Sequence, residues 1–168
     1  MKKKAPLLAH VRDILLLPVT VTVVVPYYIR QSQDAFLEIP FYAKVAGSLI
    51  GLAGVVLFIS TVYLFATEGK GTLAPWSTKH KLVIRGPYRY CRNPMITGVL
   101  FILVSEALLL SSTGILEWAG IFFLINNIYF FLSEEPELLR FFGDEYAKYK
   151  KSVPRWLPRI TPYRPEGN

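Results

Sequence analysis

Two short stretches of this chain concentrate the side chains able to do chemistry. The first reads His80-Lys81-Leu82-Val83-Ile84-Arg85-Gly86-Pro87-Tyr88-Arg89-Tyr90-Cys91-Arg92-Asn93-Pro94. The second opens with Glu134-Glu135-Pro136-Glu137. Gly86-Pro87 and Asn93-Pro94 mark turns, and Pro94 suits the first position of a helix. The backbone N–H groups at such a helix start can hold a carboxylate or a phosphate. Arg89 and Arg92 can orient an anionic group by charge-assisted hydrogen bonds, or meet lipid headgroups. Glu134 and Glu135 can take a proton from an acceptor. On composition alone they read as the solvated, acidic first turn of a helix, where they complement the macrodipole. Cys91 is the single cysteine, which excludes a disulfide scaffold. No metal site is expected.

The elements that must position these stretches are apolar blocks. A spanning helix needs about 20 apolar residues. The first block, 14–29, is valine-rich and interrupted by Pro18 and Pro26. Prolines argue against a central strand and are better tolerated in a membrane helix. Lys2, Lys3 and Lys4 resemble the basic start of a signal peptide, but no small-x-small site follows Val25, so a retained helix is expected. The second block, 41–66, carries only Lys44 and places Gly47, Gly51 and Gly54 on one helix face, where another helix can approach closely. Blocks 95–110 and 115–132 are joined by Ser111-Ser112-Thr113-Gly114, enough for a helical hairpin. Glu106 lies within the third block, as an intramembrane functional group or a packing glutamate, with Asn126 and Asn127 as the partners on offer.

A net charge of +7 over 168 residues, 52% of them hydrophobic, excludes a disordered chain. The basic residues flank the apolar blocks, so the charge reads as a cytoplasmic membrane face and no nucleic-acid partner is expected. Lys70, Lys79, Lys81, Arg85, Arg89 and Arg92 lie between the second and third blocks, and Arg140, Lys148, Lys150, Lys151, Arg155, Arg159 and Arg164 follow the fourth. The hairpin tip carries no Lys or Arg. The expected fold is therefore all-α: a polytopic membrane protein in one domain, 1–168. It has four transmembrane helices, both termini cytoplasmic, and two cytoplasmic segments, 67–94 and 133–160, that can meet. Leu138, Leu139, Phe142, Tyr146 and Tyr149 predict a helix lying at the interface with its apolar face down. Val153-Pro154-Arg155-Trp156-Leu157-Pro158 predicts a stiff interfacial loop after it.

Three blocks in one order carry a family resemblance. They are His80, Leu82, Val83, Gly86, Tyr88, Arg92, Asn93, Pro94 and Gly98; then Glu134, Glu135 and Leu138; then Phe142, Gly143, Tyr146, Tyr149, Val153 and Pro154. Their order and spacing resemble the isoprenylcysteine carboxyl methyltransferase and phospholipid methyltransferase superfamily. The resemblance implies an integral membrane enzyme using S-adenosylmethionine, held in a cytoplasmic pocket without a soluble Rossmann domain. It implies a lipophilic or prenylated acceptor that arrives from the bilayer. The implied cofactor positions are His80, Leu82, Val83, Tyr88, Asn93, Pro94, Met95, Ile96 and Glu134. Asn93 stands where the carboxyl methyltransferase pattern has His, Ile96 where it has Tyr, and Phe130 where the eukaryotic enzymes have a substrate-facing Arg. Asn93 cannot titrate near neutrality, so it offers no proton relay.

Methyl transfer from a sulfonium is an in-line displacement that needs alignment and exclusion of water. A carboxylate acceptor needs no base, and Arg92 or Arg89 would orient it. An amine acceptor must lose a proton, with Glu134 or Glu135 as the base. The expected activity is thus methyl transfer most like isoprenylcysteine carboxyl O-methylation, with Arg92, Glu134 and Glu135 as catalytic candidates. Phospholipid amine N-methylation, a nicotinamide-dependent membrane reductase and a non-catalytic membrane protein are the alternatives.

Overall fold

The computed structural model describes residues 17–32, 38–68, 82 and 84–164, the side chains of 65–68 excepted. Every element in it is helical, as expected. A π turn (Thr20–Val24) leads into α1 (Val25–Ser32), and α2 (Phe41–Glu68) follows. After a 3-10 turn (Gly86–Arg89) come α3 (Pro94–Leu109) and α4 (Thr113–Tyr129). A second π turn (Phe130–Glu134) joins α4 to α5 (Glu135–Ser152). Among the described residues two helical stretches are long and apolar enough to cross a bilayer, Phe41–Leu64 and Thr113–Ser152, the latter a rod only as far as its break at Gly143, while Pro94–Leu109 is apolar but shorter.

Prolines inside helices explain both π turns. Proline lacks an N–H, and its ring crowds the carbonyl four residues back. Ahead of Pro26 the Val25 N–H slips to the Thr20 carbonyl, and ahead of Pro136 the Glu135 N–H slips to the Phe130 carbonyl. Each slip bypasses the usual i−4 acceptor. At the first turn that acceptor is the Val21 carbonyl, and the Trp118 indole N–H reaches it from α4 at 3.1 Å. A carbonyl left without a donor in an apolar layer costs several kcal/mol, so Trp118 ties α1 to α4. At the second turn the expectation of a fresh helix at Glu134–Glu135 is corrected. The rod runs on through the slip, because a π turn absorbs Pro136 without ending the helix.

The glycine face of α2 has a partner in α3. A Cβ added to Gly54 would lie 2.7 Å from the Gly98 carbonyl oxygen, and one added to Gly98 would lie 2.8 Å from the Gly54 carbonyl oxygen. Gly51 sits against Ser105, and Gly47 against Leu108. The two backbones touch because neither carries a side chain there. The α3–α4 hairpin turns through Ser111 at φ 54°, and the Ser112 hydroxyl caps α4 by accepting from the Ile115 N–H. Val99, Leu103 and Ala119 form the core of the bundle, with Val21, Phe58, Trp118 and Phe122 packed on them. The outer faces of α2 (Leu49, Leu52, Val56, Ile59) and α4 (Leu124, Ile125, Ile128) are exposed. Apolar surface of that extent is stable against lipid rather than water.

A second core forms at one end. Tyr146, Tyr149 and Val153 are buried, with Leu82, Ile84, Leu138, Phe142 and Tyr163 around them. The apolar face of α5 is therefore covered by the segment before α3 and by the C-terminal tail. This corrects the expectation of a helix lying face down on the membrane, since the chain's own loops bury that face first. Gly143, at φ 48°, breaks α5 between its two halves.

Filling the α2–α3 seam has a definite outcome. Gly54→Leu forces overpacking of about 1–3 kcal/mol and lowers Tm in detergent. Gly120→Ala in α4 meets nothing within 4 Å and leaves Tm unchanged or slightly raised. Paired thermal unfolding curves check both.

Candidate active site

The two chemistry-bearing stretches meet at the second core. The tail after α5 folds back along the turn before α3. The Arg92 and Asn93 N–H groups donate to the carbonyls of Pro154 (2.9 Å) and Arg155 (3.2 Å). The Arg159 N–H donates to the Tyr90 carbonyl (3.0 Å), and the Tyr163 N–H to the Arg89 carbonyl (2.9 Å). Side chains add to this. The Thr97 hydroxyl donates to the Trp156 carbonyl (3.1 Å) and the Tyr149 hydroxyl to the Tyr88 carbonyl (2.6 Å). Arg89 donates from Nε to the Tyr163 carbonyl at 2.8 Å. The tail thus supplies acceptors that a buried loop would otherwise lack.

Glu135 is the electrostatic centre. Its side chain is 5% exposed and takes three cations. Arg92 Nη1 lies 2.6 Å from Oε1, Arg155 gives Nε at 2.8 Å and Nη2 at 2.7 Å to the same oxygen, and Lys150 Nζ lies 2.8 Å from Oε2. Burial pushes this carboxyl up. The hydrogen bond from Lys150, the charge of Arg92 and the hydrogen bond and charge of Arg155 outweigh it, holding Glu135 below the usual carboxylate range. Arg155 is braced further by Asn127, whose Oδ1 accepts from its Nη1 (2.7 Å) and from the Trp156 indole (3.3 Å). The Trp156 ring rests between Phe123 and Phe130.

These contacts sort the expected site residues. Tyr88 lies in the 3-10 turn, half-buried, and burial together with the nearby charge of Glu134 raises its phenol above the ordinary value. Glu134, half-buried in the π turn, also acts electrostatically on Tyr146. Asn93 occupies the N-cap of α3 without capping it through its side chain, and Pro94 is buried at the first helical position. Met95 and Ile96 follow in the first turn, half-buried, where helix N–H groups have no intrahelical acceptor. Leu82 packs on the Tyr146–Tyr149–Val153 core. Tyr88, the α3 start and Glu134 thus converge. His80 and Val83 lie outside the described residues. Arg92 and Glu135 are brought together with each other: a carboxylate holding three cations is a poor base, and Arg92 is already paired.

Other expectations change as well. Asn126 donates to the Phe122 carbonyl and Asn127 holds Arg155 and Trp156, so neither serves Glu106. The Cys91 thiol is fully buried and pushed up to about 11 by that burial, which keeps it protonated and inert. Lys150, Arg155 and Asn127 were not legible as site members. Lys150 reaches Glu135 from the far half of α5, past the break at Gly143, Arg155 reaches it through the fold-back of the tail, and Asn127 acts through Arg155. Beside the site an open apolar groove of about 620 Å³ runs between Leu57, Tyr63 and Leu64 of α2, the Gly86–Pro87 turn and Pro158.

Removing the central carboxylate leaves Arg92 and Arg155 buried without a counter-charge. Glu135→Gln therefore costs about 3 kcal/mol or more, read as a lowered Tm in detergent. The folded Glu135 carboxyl titrates below its unfolded value of about 4.3. Its stabilisation is full above that pH and is lost as pH falls through the folded value. Unfolding curves from pH 6 to pH 3 show this loss in the native chain and lack it in Glu135→Gln.

Comparison with known proteins identifies the family. A family model described as phospholipid methyltransferase matches residues 41–145, from the start of α2 into the second half of α5. The isoprenylcysteine O-methyltransferase of Mus musculus is 34% identical over 88 residues, which cover 50% of this chain and 30% of that protein. The protein of the same name from Dictyostelium discoideum is 37% identical over 84 residues, 48% of this chain and 34% of its own length. An uncharacterized protein of Haemophilus influenzae is 42% identical over 65 residues, 38% of this chain and all of its own. The chain spans about a third of the length of the isoprenylcysteine relatives it matches. With the family model covering most of the chain, including the glycine seam, the α3 start and both adjacent glutamates, this protein belongs to the phospholipid methyltransferase family.

Proposed function

We propose that this chain is an integral membrane methyltransferase that moves a methyl group from S-adenosylmethionine to a lipophilic acceptor. The reaction is most like isoprenylcysteine carboxyl O-methylation. The observation that carries the reading is the convergence of Tyr88, the α3 start and Glu134 under the folded-back tail. Their chemistry suits the cofactor. The unpaired N–H groups of the α3 first turn match its amino-acid carboxylate, and Glu134 offers a counter-charge to its amino or sulfonium group. Leu82, Tyr88, Asn93, Pro94, Met95 and Ile96 complete the described binding set, with His80 and Val83 assigned by family resemblance. Bound there, S-adenosylmethionine supplies an electrophilic methyl group. The protein's own work is to align the acceptor and exclude water.

The chain crosses the bilayer four times, with both termini and this site on the cytoplasmic side. The distribution of Lys and Arg between the apolar blocks supports that topology. The groove under Gly86–Pro87 suits the hydrocarbon of the acceptor. The names of the mouse and Dictyostelium relatives support a prenylated carboxylate as the acceptor. One observation favours a phospholipid amine instead. Arg92 is engaged by Glu135 and Arg89 by the Tyr163 carbonyl, and Phe130 is apolar and buried. On the amine reading Glu134 removes the acceptor's proton, because Glu135 is held ionised by its three cations.

Isothermal titration of the detergent-purified protein with S-adenosylhomocysteine tests the cofactor assignment without any acceptor. Saturable binding is expected, weakened at least about tenfold in Glu134→Ala at unchanged Tm. Undiminished binding in that variant removes Glu134 from the site. Binding of NADPH in place of S-adenosylhomocysteine would favour a reductase. Incubation with labelled S-adenosylmethionine then separates the acceptors: methyl ester formed on a farnesylcysteine analogue, or methylamine formed on phosphatidylethanolamine.

A further inference from the structure

The tail after α5 carries two apolar side chains that stay uncovered among the described residues. Ile160 is 97% exposed and Leu157 72%, and Pro158 between them is exposed as well. The cations of the same segment are turned to protein acceptors. Arg155 points inward to Glu135 and Asn127. Arg159 donates to the Ser152 carbonyl at 2.8 Å and to the Thr161 hydroxyl at 3.3 Å. The exposed surface of 157–160 is therefore mainly apolar, although the tail is basic in sequence.

The level of this segment in the bundle follows from the α2–α3 register. Gly47 faces Leu108, Gly51 faces Ser105 and Gly98 faces Phe58. The two helices run antiparallel, so Thr97 lies about level with Phe58. The Thr97 hydroxyl donates to the Trp156 carbonyl at 3.1 Å, which holds the start of the segment there. The apolar run of α2 continues past Phe58 to Ala66. At about 1.5 Å per residue, the Trp156 carbonyl lies roughly 10 Å inside the end of that run. A second contact agrees. Pro158 lines one groove together with Leu57, Ile59, Tyr63 and Leu64 of α2, and Ile59 and Tyr63 are exposed on that helix. The segment therefore runs beside the apolar part of α2, not beyond its end. Apolar side chains at that level are stable in hydrocarbon rather than in water.

We propose that 157–160 is a membrane-inserted strap: Leu157 and Ile160 enter the hydrocarbon edge of the leaflet around the C-terminal half of α2. The backbone suits that place. Irregular backbone meets lipid only where its polar groups have protein partners. Pro154, Pro158 and Pro162 have no N–H to satisfy. The carbonyls of Pro154, Arg155 and Trp156 accept from the Arg92 N–H, the Asn93 N–H and the Thr97 hydroxyl. The Arg159 and Tyr163 N–H groups donate to the Tyr90 and Arg89 carbonyls. Insertion also sets the surroundings of the groove between Pro158 and α2, which then opens sideways to lipid. The methyltransferase reading uses that opening for the acceptor's hydrocarbon, whereas the insertion itself does not rest on that reading.

The test is site-directed spin labelling of the full chain in vesicles of phosphatidylcholine and phosphatidylglycerol. Labels are placed on Leu157→Cys and Ile160→Cys. Val56→Cys, on the exposed face of α2, is the lipid reference, and Glu145→Cys, exposed just past the Gly143 break, is the water reference. Cys91 is fully buried, and the native chain carried through the same labelling measures any signal from it. Power saturation compares collisions with oxygen, which concentrates in hydrocarbon, and with a water-soluble nickel chelate. At 157 and 160 the nickel collision rate is expected at least about threefold below that at Glu145, because a polar chelate pays to enter hydrocarbon, and the oxygen-to-nickel ratio is expected near that of Val56. A ratio at either position equal to that of Glu145 overturns the proposal. So does dipolar broadening between labels, which would put a second copy of the chain over the strap. Both native side chains are exposed, so neither substitution removes a core contact. If Leu157→Cys nevertheless lowers Tm, Ile160→Cys alone decides. No cofactor or acceptor enters the measurement, so failure of the methyltransferase reading leaves its result standing.

Discussion

A single buried carboxylate ties together three parts of the chain that are distant in sequence. Glu135 comes from the rod, Arg92 from the turn before α3, Lys150 from the end of α5 and Arg155 from the tail. Removing such groups from water costs several kcal/mol per ion, and the cost is recovered only when geometry and hydrogen bonding are complete. Here Oε1 takes Arg92 and Arg155 and Oε2 is ion-paired with Lys150, while Arg92 Nε has no acceptor among the described residues. Arg155 is oriented in turn by Asn127. The arrangement is therefore nearly all-or-none. With every segment in place the charges are satisfied, and with one displaced the others are left buried and unpaired.

The site depends on that closure. The segment leading into α3 has only a 3-10 turn among its described residues to satisfy its own backbone. The tail satisfies it instead, through N–H groups of Arg92, Asn93, Arg159 and Tyr163 donating across the fold-back. Once closed, the same strap buries Tyr146 and Tyr149 and brings Glu134 near Tyr88 and the α3 start. The proposed cofactor site uses that helix start, the Tyr88 phenol and the Glu134 carboxylate at the end of the helical bundle. The helices contribute rigidity. Backbone contact between Gly54 and Gly98 fixes α2 on α3, and the Trp118 indole anchors α1 through a carbonyl that a proline left without its helical donor.

Helix phase is the second constraint. In a bundle the direction of a side chain is set by counting residues along a regular turn, and a π slip changes that count by one. The two slips here each immediately precede a proline. One exposes a carbonyl for a tertiary hydrogen bond. The other leads directly into Glu135, the carboxylate of the buried cation cluster.

The sequence by itself determined the helical class, the apolar blocks, the glycine seam and the hairpin at Ser111–Gly114. Those features follow from local composition and spacing, which act over one or two helical turns. The pairing of Gly54 with Gly98 shows that the small-residue face had a specific partner, as close approach requires. Only the tertiary structure decided what each charged residue does. Taken singly, Arg92 read as a headgroup contact, and within the family pattern as an acceptor-binding group; it proves to be a structural partner of Glu135. The adjacent glutamates read as one feature and separate into two. The apolar face of α5 read as membrane-facing and is covered by the chain's own tail. In each case the deciding contact joins residues far apart in sequence. Local periodicity carries no record of such contacts.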